Sequence, residues 1–347
     1  MSDRIAHSDA SSSRRLLSLI NGFQISQAIH VAASLGLADL LKDDPMSSEH
    51  LAAATQTHPD ALYRLLRALA AVGIFREHDG KRFGLTELGY HLRSDASETR
   101  HAWAINVARP PLWAAWGSLL HSIRTGETAF GHVHGTDVWT FRSRDAEEGA
   151  IFDRAMREGA VRVGRLLLRN FDFASHQRIV DVGGGDGAML STLLAELPEA
   201  TGIVFDQPHV LRDAEVTLHR LGLRTRCELI PGSFFDAVPS DADCYLLKSI
   251  LHDWDDARAH TILLNCRRAM PAGAQLLVIE RLLGEPDQGA EPALSDLNMM
   301  VNVGGRERTR AEFEVLLECA DFRLVDARPL DSGFSLLTAA SATKELT

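Results

Sequence analysis

Apolar residues recur at helical spacing through the first hundred positions. LLSLINGFQISQAIHVAASLG carries them as one run up to Gly36. MSSEHLAAAT follows, with Ser47 or Ser48 placed to cap a helix through a side-chain oxygen. HPDALYRLLRALAAVG predicts a further helix, entered at Pro59 and stopped by Gly73. The period then changes. IFREHDGKRFGLT predicts a hairpin turning at Asp79-Gly80. Helices followed by a two-stranded wing give a winged-helix order. Residues 101–170 return to helical spacing, interrupted at Pro110-Pro111 and in GHVHGTD.

From residue 178 the pattern alternates. RIVDV, GIVFD, CELIP, DCYLLK and QLLVIE predict strands, separated by helical stretches such as HTILLNCRRAM. That alternation predicts a parallel α/β sheet. FRLVDARPL and GFSLLTAAS then predict two strands joined by a turn containing Gly333, an antiparallel hairpin closing the sheet. No internal repeat is visible, and no apolar run reaches 18 residues, so no membrane span is expected. The first 14 residues are polar and lack the apolar segment of a secretory signal. They are expected to form a disordered tail.

The first stretch bearing chemistry is IVDVGGGDGAM, residues 179–189. It predicts a strand that turns tightly into a helix around a ligand. Gly183, Gly185 and Ala188 satisfy a dinucleotide-binding spacing, and Asp206 follows at the distance of a ribose ligand. Adenine dinucleotides and S-adenosylmethionine (SAM) share that ribose, so Asp206 does not separate them. The charge of the turn does. Asp181 and Asp186 flank the glycines and oppose a pyrophosphate, which seeks bare amides at a helix N-terminus. A ligand bearing an ammonium and a sulfonium is favoured beside them.

The 347 residues suffice for two domains, and the composition is that of an ordinary globular protein: 45% hydrophobic and 24% charged. The net charge of -11 speaks against nucleic acid as a partner, because phosphate contacts need basic patches. Cys227, Cys244, Cys266 and Cys319 are scattered. They are expected to be reduced, mostly buried thiols of a cytoplasmic protein.

The second such stretch is DCYLLKSILHDWDDARA. His252 lies at the carboxyl end of a strand, where open α/β sheets bind their ligands. With an ordinary pKa of about 6.5, a histidine there is suited to act as general base. Either Glu280, ending QLLVIE, or Glu307, in GGRERT, could fix its tautomer and stabilise its charged form; the alternative is that they are solvent-exposed strand-end and loop charges. Glu312 belongs instead to a capping box with Thr309. Trp103, Trp113 and Trp116 suit either a pocket for a flat aromatic molecule or a packed interface. Met156, Met299 and Met300 admit the same two readings. His132 and His134 find no third ligand at a convincing spacing, so no metal is expected.

Together DVGGGDG (181–187), VFDQPHV (204–210), GSFF (232–235), LLKSILHDWDD (246–256), VIE (278–280) and GGRERT (304–309) resemble a known family. It is that of the SAM-dependent small-molecule O-methyltransferases of the caffeate and hydroxyindole type, nearest its bacterial natural-product branch. The resemblance covers residues 15–340. It implies a Rossmann-like α/β core: a mostly parallel seven-stranded sheet with a C-terminal antiparallel hairpin. An N-terminal all-helical, winged-helix-like dimerisation domain precedes it. The implied divisions are 15–100 for dimerisation, 101–170 for a helical linker and substrate-pocket region, and 171–347 for SAM binding and catalysis.

The resemblance also implies roles. Asp181, Gly183, Gly185, Asp206, Gln207, Ser233, Phe234 and Lys248 bind SAM, with no metal. His252 is the base, oriented by Glu280 and Glu307. Trp103, Asn106, Trp113, Met156, Asp253, Met299 and Asn302 contact the acceptor, an aromatic hydroxyl compound. The partner is a second copy of the chain, and neither nucleic acid nor membrane is expected. One departure stands out: the family has Gly-Asp-Phe-Phe where this chain has Gly-Ser-Phe-Phe, so Ser233 brings no charge to the adenine. Three other readings stay open. They are N-methylation or a non-methylating reaction at a SAM site, a winged-helix DNA-binding regulator, and a nicotinamide-dependent oxidoreductase.

Overall fold

The computed structural model describes residues 2–284, 289–330 and 333–342, with side chains from residue 11 onward. Two compact units divide at Trp113/Ala114. The division therefore falls inside the 101–170 region that the sequence set apart. The helix His101–Val107 goes with the first unit: Gln27 donates to the Ala108 carbonyl at 3.4 Å, and His30 Nδ1 lies 3.3 Å from the Ala104 carbonyl. The helix Ala146–Asn170 goes with the second. Gly164 lets it pack so closely on Ala188–Glu196 that an added Cβ would lie 3.0 Å from the Thr192 side chain.

The first unit opens with the helix Ser2–Ile20, which occupies the span expected to be a tail. No Gly or Pro interrupts residues 2–20, so nothing in the sequence breaks the helix there. The single run up to Gly36 is two helices, Ser2–Ile20 and Gly22–Ser34, joined at Asn21. Ser47 is the cap of Ser48–Thr55, accepting the His50 N–H, and Pro59–Ala71 follows as expected. Strand β1 (Met46–Ser47) adds to the hairpin of β2 (Phe75–His78) and β3 (Arg82–Leu85) in the order β1-β3-β2. The wing is thus three-stranded, and the unit is helical apart from it. Its core gathers Leu37, Leu51, Leu66, Leu69, Phe75 and Phe83.

The second unit is built on a seven-stranded sheet. Its parallel strands are β4 (Arg178–Val182), β5 (Thr201–Asp206), β6 (Cys227–Pro231), β7 (Cys244–Lys248) and β8 (Gln275–Glu280). Two short strands, β9 (Leu282–Leu283) and β10 (Arg308–Thr309), pair parallel outside the sheet. The closing hairpin is β11 (Phe322–Pro329) and β12 (Ser335–Ser341). The order is β11-β12-β8-β7-β4-β5-β6, with β12 antiparallel to both neighbours. β4, β7 and β8 are buried on both faces because helices cover both, and each face has its own core cluster. The order reverses between β4 and β7, which places the ligand crevice at their carboxyl ends.

Candidate active site

The turn after β4 is shaped by glycine. Gly183, Gly185 and Gly187 have φ of +71°, +61° and +74°, a region L side chains rarely adopt. A Cβ on Gly183 would also lie 2.4 Å from Ile250 Cδ1, so the loops after β4 and β7 touch at this residue. The Asp206 carboxylate, at the end of β5, braces the turn by accepting the Gly185 N–H at 2.8 Å and the Gln207 N–H at 2.6 Å.

The loop after β7 carries the histidine. Ser249, with φ +54°, bends the chain in the left-handed region, a strain typical of functional loops. A single 3₁₀ turn, Leu251–Asp253, then presents His252, which is 8% exposed. Its Nδ1 lies 3.1 Å from Glu307 Oε1 and 3.4 Å from Glu280 Oε2. Its Nε2 is 3.6 Å from Asp253 Oδ1, beyond hydrogen-bond range. Both glutamates are buried. Glu280 Oε1 accepts the backbone N–H groups of Ile250, Leu251 and His252 at 3.0, 2.9 and 3.4 Å. It therefore holds the loop by hydrogen bonds, while its Oε2 is an ionic neighbour of the imidazole.

This setting moves the histidine away from its ordinary value. Burial favours the neutral ring, but Glu280, Asp253 and Glu307 outweigh it and raise the pKa to about 9. The expectation of a base near 6.5 is corrected accordingly. Burial pushes Glu280 up to about 7. Burial also acts to raise Glu307, but the hydrogen bond and charge of His252 prevail and hold it below its ordinary value. The three side chains also place a nitrogen and two carboxylate oxygens within 4.8 Å of one another, a donor set that suits a divalent cation. One oxygen of each glutamate serves other partners: Glu280 Oε1 takes three N–H groups, and Glu307 Oε1 takes the Ser295 hydroxyl at 2.7 Å besides His252, while the Oε2 of each is buried without a hydrogen-bond partner among the described residues.

Several supporting residues were not singled out from the sequence. The Asp296 carboxylate accepts the Glu307 N–H at 2.9 Å. Arg308, 1% exposed, donates to the Leu251 and Trp254 carbonyls and to Asp256, at 2.8, 2.8 and 2.9 Å, and so clamps both ends of the turn. Arg306 N–H donates to the His252 carbonyl at 2.8 Å, and a Cβ on Gly305 would lie 2.0 Å from that oxygen. GGRERT therefore packs its backbone directly on the histidine turn. The signal was present in that motif, but only Glu307 was taken from it.

The cradle for SAM fits on this chain's own geometry. Asp181 Oδ2 is buried without a hydrogen-bond partner among the described residues, and burial pushes its carboxyl up to about 7. Burial brings the Lys248 ammonium down to about 8. Both gain from a zwitterionic ligand head with an ammonium and a carboxylate. Asp186 contributes less than its sequence position promised, because Arg157 pairs with it and answers its charge. The Ser233 hydroxyl accepts the Phe235 N–H at 3.2 Å. Phe234 forms an aromatic cluster with Phe235 and Trp254, its ring 4.9 and 6.2 Å from theirs. Gln207 is exposed, and its carbonyl accepts the N–H groups of Val210 and Leu211.

Of the acceptor residues, Met156, Asp253, Met299 and Asn302 lie in the second unit. Asn302 is buried, donates to Asn298 Oδ1 at 2.8 Å and has no hydrogen-bond partner for its own Oδ1 among the described residues. Trp116 donates to the same Asn298 oxygen at 3.1 Å. Trp103, Asn106 and Trp113 belong to the first unit, where Trp103 is exposed and Asn106 buried. His132 stacks on His121 at 3.9 Å, and His134 packs on Phe130 at 4.4 Å, so both rings serve packing. Cys227, Cys244 and Cys266 are buried, Cys319 is exposed, and all four are free thiols.

Comparison with known proteins identifies the family. The family model for the O-methyltransferase domain matches residues 116–323, and that for the O-methyltransferase dimerisation domain matches residues 17–94. Phenazine O-methyltransferase PhzM of Lysobacter antibioticus is 39% identical over 93% of this chain and 95% of its own. O-demethylpuromycin-O-methyltransferase of Streptomyces alboniger is 42% identical over 94% of this chain and 88% of its own. Human N-acetylserotonin methyltransferase, solved in complex with SAM, matches with a TM-score of 0.88 at 28% identity, over 96% of this chain and 98% of that one. Other chemistry occurs among the relatives. An 8-amino-8-demethylriboflavin N,N-dimethyltransferase of Streptomyces davaonensis is 36% identical over 93% of this chain and 94% of its own. Aclacinomycin 10-hydroxylase RdmB of Streptomyces purpurascens is 32% identical over 95% of this chain and 91% of its own.

Proposed function

The chain belongs to the SAM-dependent O-methyltransferase family, and from that premise we propose that it methylates a phenolic hydroxyl of an aromatic natural-product intermediate, with His252 as general base. The observation that carries the proposal is the buried His252–Glu307–Glu280 arrangement at the sheet's switch point. SAM supplies a methyl group already activated on a sulfonium. Asp206, with oxygens at the end of β5, is suited to the ribose hydroxyls, Asp181 and Lys248 to the charged amino-acid head, and Phe234 to the adenine face. Ser233 offers the adenine a hydroxyl in place of a carboxylate.

Glu307 engages Nδ1 and so leaves Nε2 for the substrate proton. The proton passes from the phenol to Nε2, the phenol oxygen bonds to the methyl carbon, and S-adenosylhomocysteine departs with the electrons of the broken S–C bond. A histidine raised to about 9 is well matched to a phenol of pKa about 10, because the transfer is nearly level. Positioning supplies the larger share of the acceleration, up to about 7–11 kcal/mol, against roughly 3–5 kcal/mol for the base.

The molecule is proposed to act as a homodimer through residues 17–94, which match the dimerisation domain. The relative that is an N,N-dimethyltransferase supports a second reading, an amine acceptor. One experiment tests both. Phenolic and arylamine acceptors are incubated with SAM and the His252→Ala variant run in parallel, with methylated product read by mass. Phenol methylation that His252→Ala lowers about 10²- to 10⁴-fold, with SAM affinity kept, is the expected result. Methylation of amines alone, or turnover indifferent to His252, would sink the reading.

A further inference from the structure

Trp116 and Asn302 donate to the same oxygen, and that shared bond decides which way a buried amide faces. The helix Glu291–Asn302 carries Ser295, Met299 and Asn302 at steps of four and then three positions, so all three lie along one of its faces. At one end of that face Ser295 donates at 2.7 Å to Glu307, the carboxylate engaged with Nδ1 of His252. Past the other end the chain turns back through Gly304 and Gly305. A Cβ on Gly305 would lie 2.0 Å from the His252 carbonyl and 2.8 Å from Asp253 Cα. Both ends of the face are thus tied to the histidine turn by direct contact. Asn302 itself is 6% exposed, and its Oδ1 is buried with no hydrogen-bond partner among the described residues.

The orientation of that amide is set by its neighbours. The Asn302 nitrogen donates to the Asn298 main-chain carbonyl at 3.2 Å and to Asn298 Oδ1 at 2.8 Å. Trp116 Nε1 donates to the same Oδ1 at 3.1 Å. An indole N–H only donates and a main-chain carbonyl only accepts, so each amide has one orientation that satisfies its surroundings. Turning Asn302 over would lose both of its bonds. It would regain one only if Asn298 turned as well, and that would set the Asn298 NH2 against the indole N–H, donor against donor. From this we propose that Trp116 is a specificity-determining residue. Acting through Asn298, it holds the Asn302 carbonyl toward the acceptor, so that the site selects an acceptor with a second hydrogen-bond donor, a hydroxyl or an N–H, besides the hydroxyl that is methylated. A buried carbonyl left unpaired is costly, and such a donor removes the cost. The inference rests on the phenolic reading above and narrows it.

The test separates this inference from the reading beneath it. Protein loaded with S-adenosylhomocysteine is titrated with 2,7-dihydroxynaphthalene and with 7-fluoro-2-naphthol, which differ by one O–H at nearly equal size. Wild type should prefer the diol by about tenfold or more, the usual consequence of leaving a buried acceptor unpaired. Asn302→Leu should abolish the preference. Trp116→Phe removes the indole N–H, lets the two amides turn together and should draw the two affinities toward each other. Asn298→Asp keeps oxygens for both donors and should keep the preference. A packing role for Trp116 would instead weaken both probes alike and leave their ratio unchanged. Equal affinity in wild type, as when a trapped water already serves the carbonyl, overturns the inference. Binding of neither probe, or a ratio unmoved by Trp116→Phe, overturns it too. Methylation is then read separately with SAM. Methyl product from both probes with equal affinity leaves the phenolic reading standing and removes only the second donor. A diol that binds through Asn302 and never yields methyl product removes the phenolic reading.

Discussion

A histidine surrounded by carboxylates is a stronger base that is seldom free. At pH 7, with a pKa of about 9, only about one ring in a hundred is neutral. Two effects oppose each other: the neutral fraction is small, but each neutral ring takes a phenolic proton with little uphill work. The result is legible in the pH dependence. For the free enzyme, kcat/KM should rise with pH and level off only near 9, not near 6.5. Glu307→Gln removes a carboxylate that raises the histidine, so the rising limb should move toward acid. Titration of the phenol itself would not move with that substitution, so a limb unchanged in Glu307→Gln would show that the limb belongs to the substrate. The same triad makes a second expectation at this scale. One oxygen of each glutamate is taken up by N–H groups or by the Ser295 hydroxyl, so dialysis against a chelator should leave turnover unchanged, and restoration of lost activity by a divalent ion would reassign the cluster as a metal site.

The element that holds the site is the 251–254 turn, and its stability comes from outside it. Glu280 accepts the N–H groups at its start, and Arg308 donates to the carbonyls at both ends. Asp256, the ionic partner of Arg308, is 64% exposed and contributes little through charge. The weight falls on the two carbonyls. Arg308→Met should therefore lower stability by about 2–4 kcal/mol in urea unfolding, because the Leu251 and Trp254 oxygens lose their donor away from water. It should also lower kcat with little change in SAM affinity, since no SAM-assigned residue touches the guanidinium. A loss of SAM affinity as large as the loss of kcat would mean that the clamp supports the whole crevice.

The same element shows what a sequence carries openly. Strand periods and the glycine turn are local patterns, so all seven strands of the sheet were legible, as were His252 and its two glutamates once their motifs were joined. The clamp was not, because its partners stand more than fifty residues apart along the chain and are brought together by tertiary contacts: the β9–β10 pairing that sets Arg308 opposite Leu282 and the Arg306 N–H bond to the His252 carbonyl. The break at Asn21 was hidden for the converse reason: hydrophobic spacing continues across it. The pairing of Asp186 with Arg157 was hidden too, since a long helix supplies the arginine from 29 residues upstream.

For the whole molecule, the apolar surface of the first helices asks for a cover. Leu16, Leu17, Leu19, Ile20 and Phe23 are between 53% and 70% exposed; Leu16 and Ile20 stand one turn apart in a stripe on the first helix, and Phe23 follows just past the break at Asn21. A contiguous stripe of this kind on a single chain marks a binding surface. No single helix among the described residues is long and apolar enough to cross a membrane, though Ser11–Ile20 and Gly22–Ser34 pass that test as a pair bent by 43°. The stripe begins where the match to a dimerisation domain begins, at residue 17, which favours a second copy as the cover. Light scattering should accordingly give about twice 38.1 kDa in solution, and the pair Ile20→Asp and Phe23→Asp should give a monomer. Every residue assigned to SAM or to proton transfer lies in the unit after Trp113, so the monomer should still bind SAM by calorimetry. If the partner's helices complete the acceptor pocket, turnover falls while SAM affinity holds. A monomer with unimpaired turnover would restrict those helices to assembly, and a variant that remains dimeric would return the exposed stripe to the question of what it touches.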